Sequence, residues 1–254
     1  MQAAIEVPTG EKREWGVALR ALRKLLADAN DTTQVFVIMR ALNAGDAPRQ
    51  FRKLMASPQG GRLAYEHVEL AQRFTDRAWV SSFAPGTVGA AYRDFLDQTG
   101  FSADGLAQIS NLEKREGLDK HPYAWFGRRT RDVHDIWHVL TGYRADEPGG
   151  EAGLVAFSYA QTRGLGWAFI AMGAALRGMR QMKSLEVPRM IWEGYRNGRK
   201  AAWLLAEDYE ALMHEPLEAA RRRLNIRTPR RYLALRSRLA DFLRAAPSPA
   251  VAAE

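Results

Sequence analysis

Cysteine is absent from this 254-residue chain, and histidine occurs only five times. The first absence excludes disulfides, iron–sulfur clusters, cysteine-type zinc sites and thiol nucleophiles. Any metal must therefore be held by His, Asp and Glu. Long apolar runs are also missing. The richest segment, Gly153 to Leu176, is interrupted by Gln161, Thr162 and Arg163 and leaves 13 uncharged residues, 164–176. A membrane-spanning helix needs roughly 20, so a buried helix is expected. The opening MQAAIEVPTGEKREW has no apolar signal core and carries acids that transit peptides avoid. There is no phosphate-binding P-loop, no G-x-G-x-x-G and no G-x-S-x-G nucleophile turn.

What is present is a basic, helix-patterned globular chain: 46% hydrophobic, 26% charged, net +8. The charge is uneven. Residues 1–127 hold 16 basic and 15 acidic side chains, and residues 128–254 hold 21 and 14. The densest run is Arg221, Arg222, Arg223, Arg227, Arg230 and Arg231. Such a run is either a solvated helix face or a patch for an anionic membrane surface or acidic partner. No nucleic-acid-binding motif accompanies it, and nucleic acid is not an expected partner.

Apolar residues recur at helical spacing nearly throughout, without convincing alternating strands. Trp15, Ala18, Leu19, Leu22, Leu25 and Leu26 make one stripe. Asp31 with Gln34 opens a helix in the manner of a capping box, and Val88, Ala91, Tyr92 and Phe95 make a later stripe. Ser57 to Gly61 and Ala84 to Gly86 read as turns. Residues 124–142, 151–182, 186–213 and 229–245 read as further helices. The expected fold is all-α: one multi-helix domain over 1–245, with a central helical hairpin and a flexible tail over 246–254. Gly164, Gly166 and Gly173 mark either close helix packing or the wall of a groove for a long apolar ligand.

One motif carries chemistry: His134-Asp135-Ile136-Trp137-His138. At about 100° per residue, His138 falls roughly 40° and Asp135 roughly 100° from His134. All three face one sector, while Ile136 and Trp137 are left to anchor the helix in the core. H-E-x-x-H binds zinc by the same geometry. The turn Arg144 to Gly150 then returns the chain, so Glu151 can face the histidines from the next helix. Two imidazoles and two carboxylates suit Zn²⁺, and also Fe²⁺ or Mn²⁺. Asp135 either binds the ion or orients a histidine. The competing reading is a polar His–Asp pair between helices. A metalloprotease is disfavoured because Asp135 stands where the general-base Glu belongs, and an HD-type phosphohydrolase because the further spaced ligands are missing.

His134-Asp135-Ile136-Trp137-His138 followed by Glu151 resembles the H-D-x-x-H-(x11)-E signature of the Coq-four family of ubiquinone biosynthesis proteins. The stretches Asp31 to Phe36, Gly60 to Glu66, Ser102 to Leu106, Val139 to Tyr143 and Glu193 to Arg196 resemble that family too, covering about residues 15 to 230. Here 12 residues separate His138 from Glu151, one more than in the signature, which leaves Glu147 and Asp146 as alternative ligands. The resemblance implies an all-helical fold, a zinc-type ion held by His134, Asp135, His138 and Glu151, and a homodimer. It also implies a peripheral position on the cytoplasmic face of a membrane, beside other ubiquinone biosynthesis proteins. The implied activity is that of a lyase: C1 oxidative decarboxylation of a polyprenylated 4-hydroxybenzoate-derived precursor (the 4-hydroxy-3-methoxy-5-polyprenylbenzoate type). The implied alternative is a non-catalytic, prenyl-lipid-binding scaffold for the biosynthetic enzymes. On the enzyme reading the same four residues are catalytic, and the glycine-lined helix accommodates the prenyl tail. Exposed apolar residues between Leu185 and Met213 are a candidate dimer face.

Overall fold

The structure is a computed structural model and describes residues 12–28, 31, 33–43, 45–100 and 121–245. The expected tail, the Ser102 to Leu106 stretch and the first eleven residues lie outside this set. Helices α1 (Trp15–Ala27) and α2 (Thr33–Leu42) form an antiparallel-type pair, followed by α3 (Asp46–Met55) and the short α4 (Gly60–Glu66), α5 (Leu70–Thr75) and α6 (Arg77–Ser81). Next come α7 (Val88–Thr99), α8 (Pro122–Asp132) and α9 (His134–Thr141). The central pair α10 (Pro148–Thr162) and α11 (Leu165–Met182) precedes α12 (Glu186–Lys200), α13 (Tyr209–Met213), α14 (Leu217–Arg223) and α15 (Arg230–Ala245). Among the described residues every regular element is helical, apart from a bridge between Thr87 and Pro216. The all-α expectation holds, and no helix is long and apolar enough to cross a membrane.

Three expected long helices are broken. The run 124–142 divides at Val133, 151–182 at Arg163 and Gly164, and 186–213 at Ala201. Arg163 adopts a left-handed conformation with φ +59°, which ends α10 as a C-cap residue does. Apolar periodicity continues across each break, so pattern alone does not show it. Beyond Ala201 the chain turns inward, and Leu204, Leu205, Tyr209, Leu212 and Met213 are core residues. Of the expected dimer-face helix, only the α12 end keeps large exposed apolar groups, Leu185 and Trp192. On α1 the buried face is Val17, Ala18, Ala21 and Leu22, leaving Trp15 and Leu19 exposed. The small alanines set that face against α2.

Helix α10 is buried on nearly every side, as expected of a helix apolar all round. It packs along α12 and meets α11, α15 and α9. Glycine sets the α10–α12 distance. A Cβ on Gly194 would overlap the Gly153 carbonyl, and one on Gly198 would stand 2.6 Å from the Phe157 carbonyl oxygen. Gln161 fixes the far end of this interface. Its side-chain amide donates to the carbonyls of Gly198 (2.8 Å) and Ala202 (3.1 Å) and accepts from Leu204 N–H at 2.9 Å.

The other glycine question is also settled. Gly164 and Gly166 lie against Asn43 and Met39 of the α2 end, and Gly173 against Leu22 of α1. The glycine face of α11 is thus occupied by packed helices. The expectation of a groove wall there is corrected: loss of side-chain bulk is used for helix contact.

The packing predicts a sharp contrast. Gly194→Ala forces backbone apart and should cost about 1–3 kcal/mol in urea denaturation, the range of overpacked cores. Gly61→Ala, with open space around its Cβ, should leave stability unchanged or raise it by about 0.5–1 kcal/mol.

Candidate metal centre

Helix α9 is short, and its position is over-determined. Ile136 and Trp137 are fully buried, as their place on the helix requires. The Trp137 indole N–H donates to the Tyr209 hydroxyl at 2.6 Å. At its C-terminus Arg221 donates to the carbonyls of Leu140 and Val139, both at 2.9 Å. Those are the carbonyls a helix end leaves unpaired, and a cation there also meets the negative end of the helix dipole. One member of the basic run is therefore spent on fastening this helix. Arg223 is likewise engaged, by Glu215 and Glu207 at 2.7 and 2.9 Å.

Gly142 ends α9 with φ +76°, a conformation that favours glycine. This turn brings the Tyr143 carbonyl back to His138, whose Nδ1 lies 2.7 Å from it. Because a carbonyl can only accept, Nδ1 carries the proton, and Nε2 is the nitrogen that faces outward. The histidine is held in the tautomer a metal ligand needs.

Glu151 reaches that nitrogen. His138 Nε2 and Glu151 Oε1 are 3.2 Å apart, and one ligand atom each from His134, His138 and Glu151 lie within 4.8 Å of one another. Metal bonds of 2.0–2.2 Å at tetrahedral angles separate donors by about 3.3 Å. The donor types and their spacing fit a divalent ion of the zinc class. His134 is stacked on Trp167, with ring centroids 5.7 Å apart and planes at 7°, while His138 is stacked on Phe95 at 5.9 Å. These rings limit rotation of both imidazoles.

Asp135 stands outside this ligand group. It is buried, and its carboxylate lies 3.8 Å from His134 Nδ1, too far for a hydrogen bond. Neither role read from the sequence, ion ligand or orienter of a histidine, matches this geometry; Asp135 contributes charge beside the ligands. The two alternative acids are occupied elsewhere. Asp146 is clasped by Arg144 at 2.9 and 2.6 Å. Glu147 accepts from the Tyr232 hydroxyl at 2.6 Å and from Arg236 at 2.7 Å. The longer turn is absorbed where Gly150 lies on the Arg144 backbone, which any Cβ would strike. Pro148 begins α10, and Glu151 comes round to the histidine. Sequence reasoning missed Tyr143 and Arg221. The Gly142-Tyr143 pair was visible as a helix stop, but the carbonyl's target was not.

Burial works against charge on both members of the pair. It pushes His138 down, yet the adjacent Glu151 charge, the hydrogen bond to it and the Tyr143 carbonyl outweigh burial and leave His138 raised. Burial pushes Glu151 up, yet His138 and His134 leave it lowered.

Residues 7–230 match the family described as coenzyme Q (ubiquinone) biosynthesis protein Coq4. The chain belongs to this family. The Coq4 relatives include the ubiquinone biosynthesis protein COQ4 homologs, mitochondrial, of Danio rerio and Bos taurus. The first is 28% identical over 181 residues, covering 70% of this chain and 63% of that protein. The second is 28% identical over 178 residues, covering 70% and 64%. In Yarrowia lipolytica the match is 25% over 181 residues, 70% of this chain and 65% of that Coq4 protein. The chain thus spans less than two thirds of the length of these relatives. Their names place them in mitochondria, against the cytoplasmic expectation. A crystal structure from Nostoc punctiforme PCC 73102, of a protein named for ubiquinone biosynthesis, superposes with a TM-score of 0.61. It is 22% identical and covers 85% of this chain and all of the other, which is a likeness of fold.

The raised His138 value sets two signs. An ion at Nε2 must displace its proton, so zinc affinity should fall as pH drops through that value. In metal-free protein the pair's stabilisation is full below the unfolded histidine value of 6.5 and is lost as pH rises through the raised folded value. Melting temperatures across pH 5–9, with and without zinc, check both, and His138→Ala should abolish the zinc effect.

Proposed function

We propose that this Coq4-family chain uses a divalent ion at His134, His138 and Glu151 in the C1 oxidative decarboxylation of a polyprenylated 4-hydroxybenzoate-derived precursor of ubiquinone. The observation that carries the reading is the two-imidazole, one-carboxylate cluster in a chain of this family. Zinc is the simplest occupant of such a donor set, with Fe²⁺ or Mn²⁺ as alternatives. When bound, the ion supplies an electrophile for a carboxylate or phenolate oxygen of the substrate.

The chain's own residues do the rest. His138, fixed by Tyr143, keeps one nitrogen lone pair directed outward. Glu151 stays anionic and holds its place against that nitrogen. Asp135 adds negative charge beside the histidines and favours retention of a cation over a proton-free empty site. Decarboxylation releases carbon dioxide, and hydroxylation at the same carbon consumes a two-electron oxidant supplied from outside the chain. The excess of basic residues after 127 supports residence at an anionic membrane surface, where a prenylated substrate partitions. A single domain over 1–245, homodimer formation and association with other ubiquinone biosynthesis proteins belong to the same reading. Exposed Trp15, Met172 and Trp192 favour a second one, a non-catalytic prenyl-lipid-binding scaffold.

Complementation of a ubiquinone-deficient strain separates the two. With Glu151→Gln or Asp135→Asn, a decarboxylase leaves a C1-carboxylated, prenylated intermediate to accumulate, with quinone falling at least tenfold for Glu151→Gln. Normal quinone levels from a folded protein lacking both histidines would rule out the catalytic role.

A further inference from the structure

The structure holds a second polar site at the opposite end of α10. A cavity of about 320 Å³ opens where α3, the α10 C-terminus and the α12 C-terminus meet. Its cationic lining is Arg49, Lys53, Arg163 and Arg199, and no carboxylate lines it. Arg49 is paired with Asp46 at 2.9 Å. The other three make no ion pair among the described residues: Lys53 stands over the Trp203 ring at 4.1 Å, and Arg199 donates weakly to the Tyr195 hydroxyl at 3.5 Å.

Helix ends explain part of this charge. Two C-termini converge there, and each presents about half a negative charge. After Asp46 is also set against Arg49, roughly two positive charges are left without a partner. Gln50, 7% exposed, lines the same cavity. Arg163 is held with φ +59°, where glycine would be unstrained.

We infer that this cleft binds a doubly charged phosphate group, a phosphate monoester or diphosphate, through Arg49, Lys53, Arg163 and Arg199. The cavity's volume lies at the small end of ligand pockets and accepts such a head group with little besides. Trp203 forms its apolar side. The site is independent of the metal centre and of the reaction assigned to it. The phosphate arrives either on a soluble molecule or on a lipid head group.

Inorganic pyrophosphate is the probe, titrated calorimetrically into the full chain without added metal at low ionic strength. Arg163→Gly removes a charge and relieves the backbone, so it should fold at least as well as the parent. Arg199→Gln changes an exposed side chain. Each should weaken pyrophosphate binding about tenfold or more, with melting temperature retained. Sedimentation with phosphatidic-acid vesicles that is lost in the same variants and competed by pyrophosphate identifies the lipid source. Vesicle binding indifferent to both, beside tight pyrophosphate binding, identifies the soluble one. Pyrophosphate affinity unchanged in both variants, or no binding at millimolar concentration by the parent, overturns the site.

Discussion

The candidate centre depends on one hydrogen bond, from His138 Nδ1 to the Tyr143 carbonyl. It fixes which nitrogen is free, and the rest of the local structure exists in a form that keeps it. The carbonyl is in reach because Gly142 reverses the chain. The reversal is stable because the Tyr143 ring is sealed beneath Gly153 of α10. The helix carrying the histidine is clamped at both ends, by Trp137 on Tyr209 and by Arg221 on the last carbonyls. Ring tautomer, loop geometry and helix packing are thus one constraint seen at three scales.

The same economy explains the charge. A basic C-terminal half reads as a surface property, but several of its cations are internal fasteners. Arg221 closes α9, Arg223 joins Glu207 and Glu215, and Arg236 joins Glu147. Charge-assisted hydrogen bonds to carbonyls and carboxylates hold short helices that could not persist alone. The carboxylates in these pairs are already counted in the net charge, so the pairing places the cations without reducing the excess.

The all-α class and the histidine pair were legible because both follow from the 100° step of a helix. Asp135's place beside the ligands was open in the sequence, since a residue 100° away from His134 can face the ion or its neighbours. The choice of Glu151 over Glu147 and Asp146 was not legible. It is decided by the contact of Gly150 with Arg144 and by arginines 2 and 89 residues away from the acids they hold. The helix breaks at Val133, Arg163 and Ala201 escaped for a different reason. Only the second break holds a glycine, Gly164, and the apolar spacing runs through all three. Short α4 to α6 have too few turns to show a period at all.

Helix α10 begins with Glu151 in its first turn and ends at Thr162, a span of about 17 Å at 1.5 Å per residue. It therefore acts as a fixed strut between its two ends. Gly153 and Phe157 meet Gly194 and Gly198 with backbone against backbone, which leaves no space for a register shift. A close-packed interface of this kind has discrete positions and no sliding mode. The two ends of α10 keep a constant distance, so neither can signal to the other by displacement of the rod that joins them.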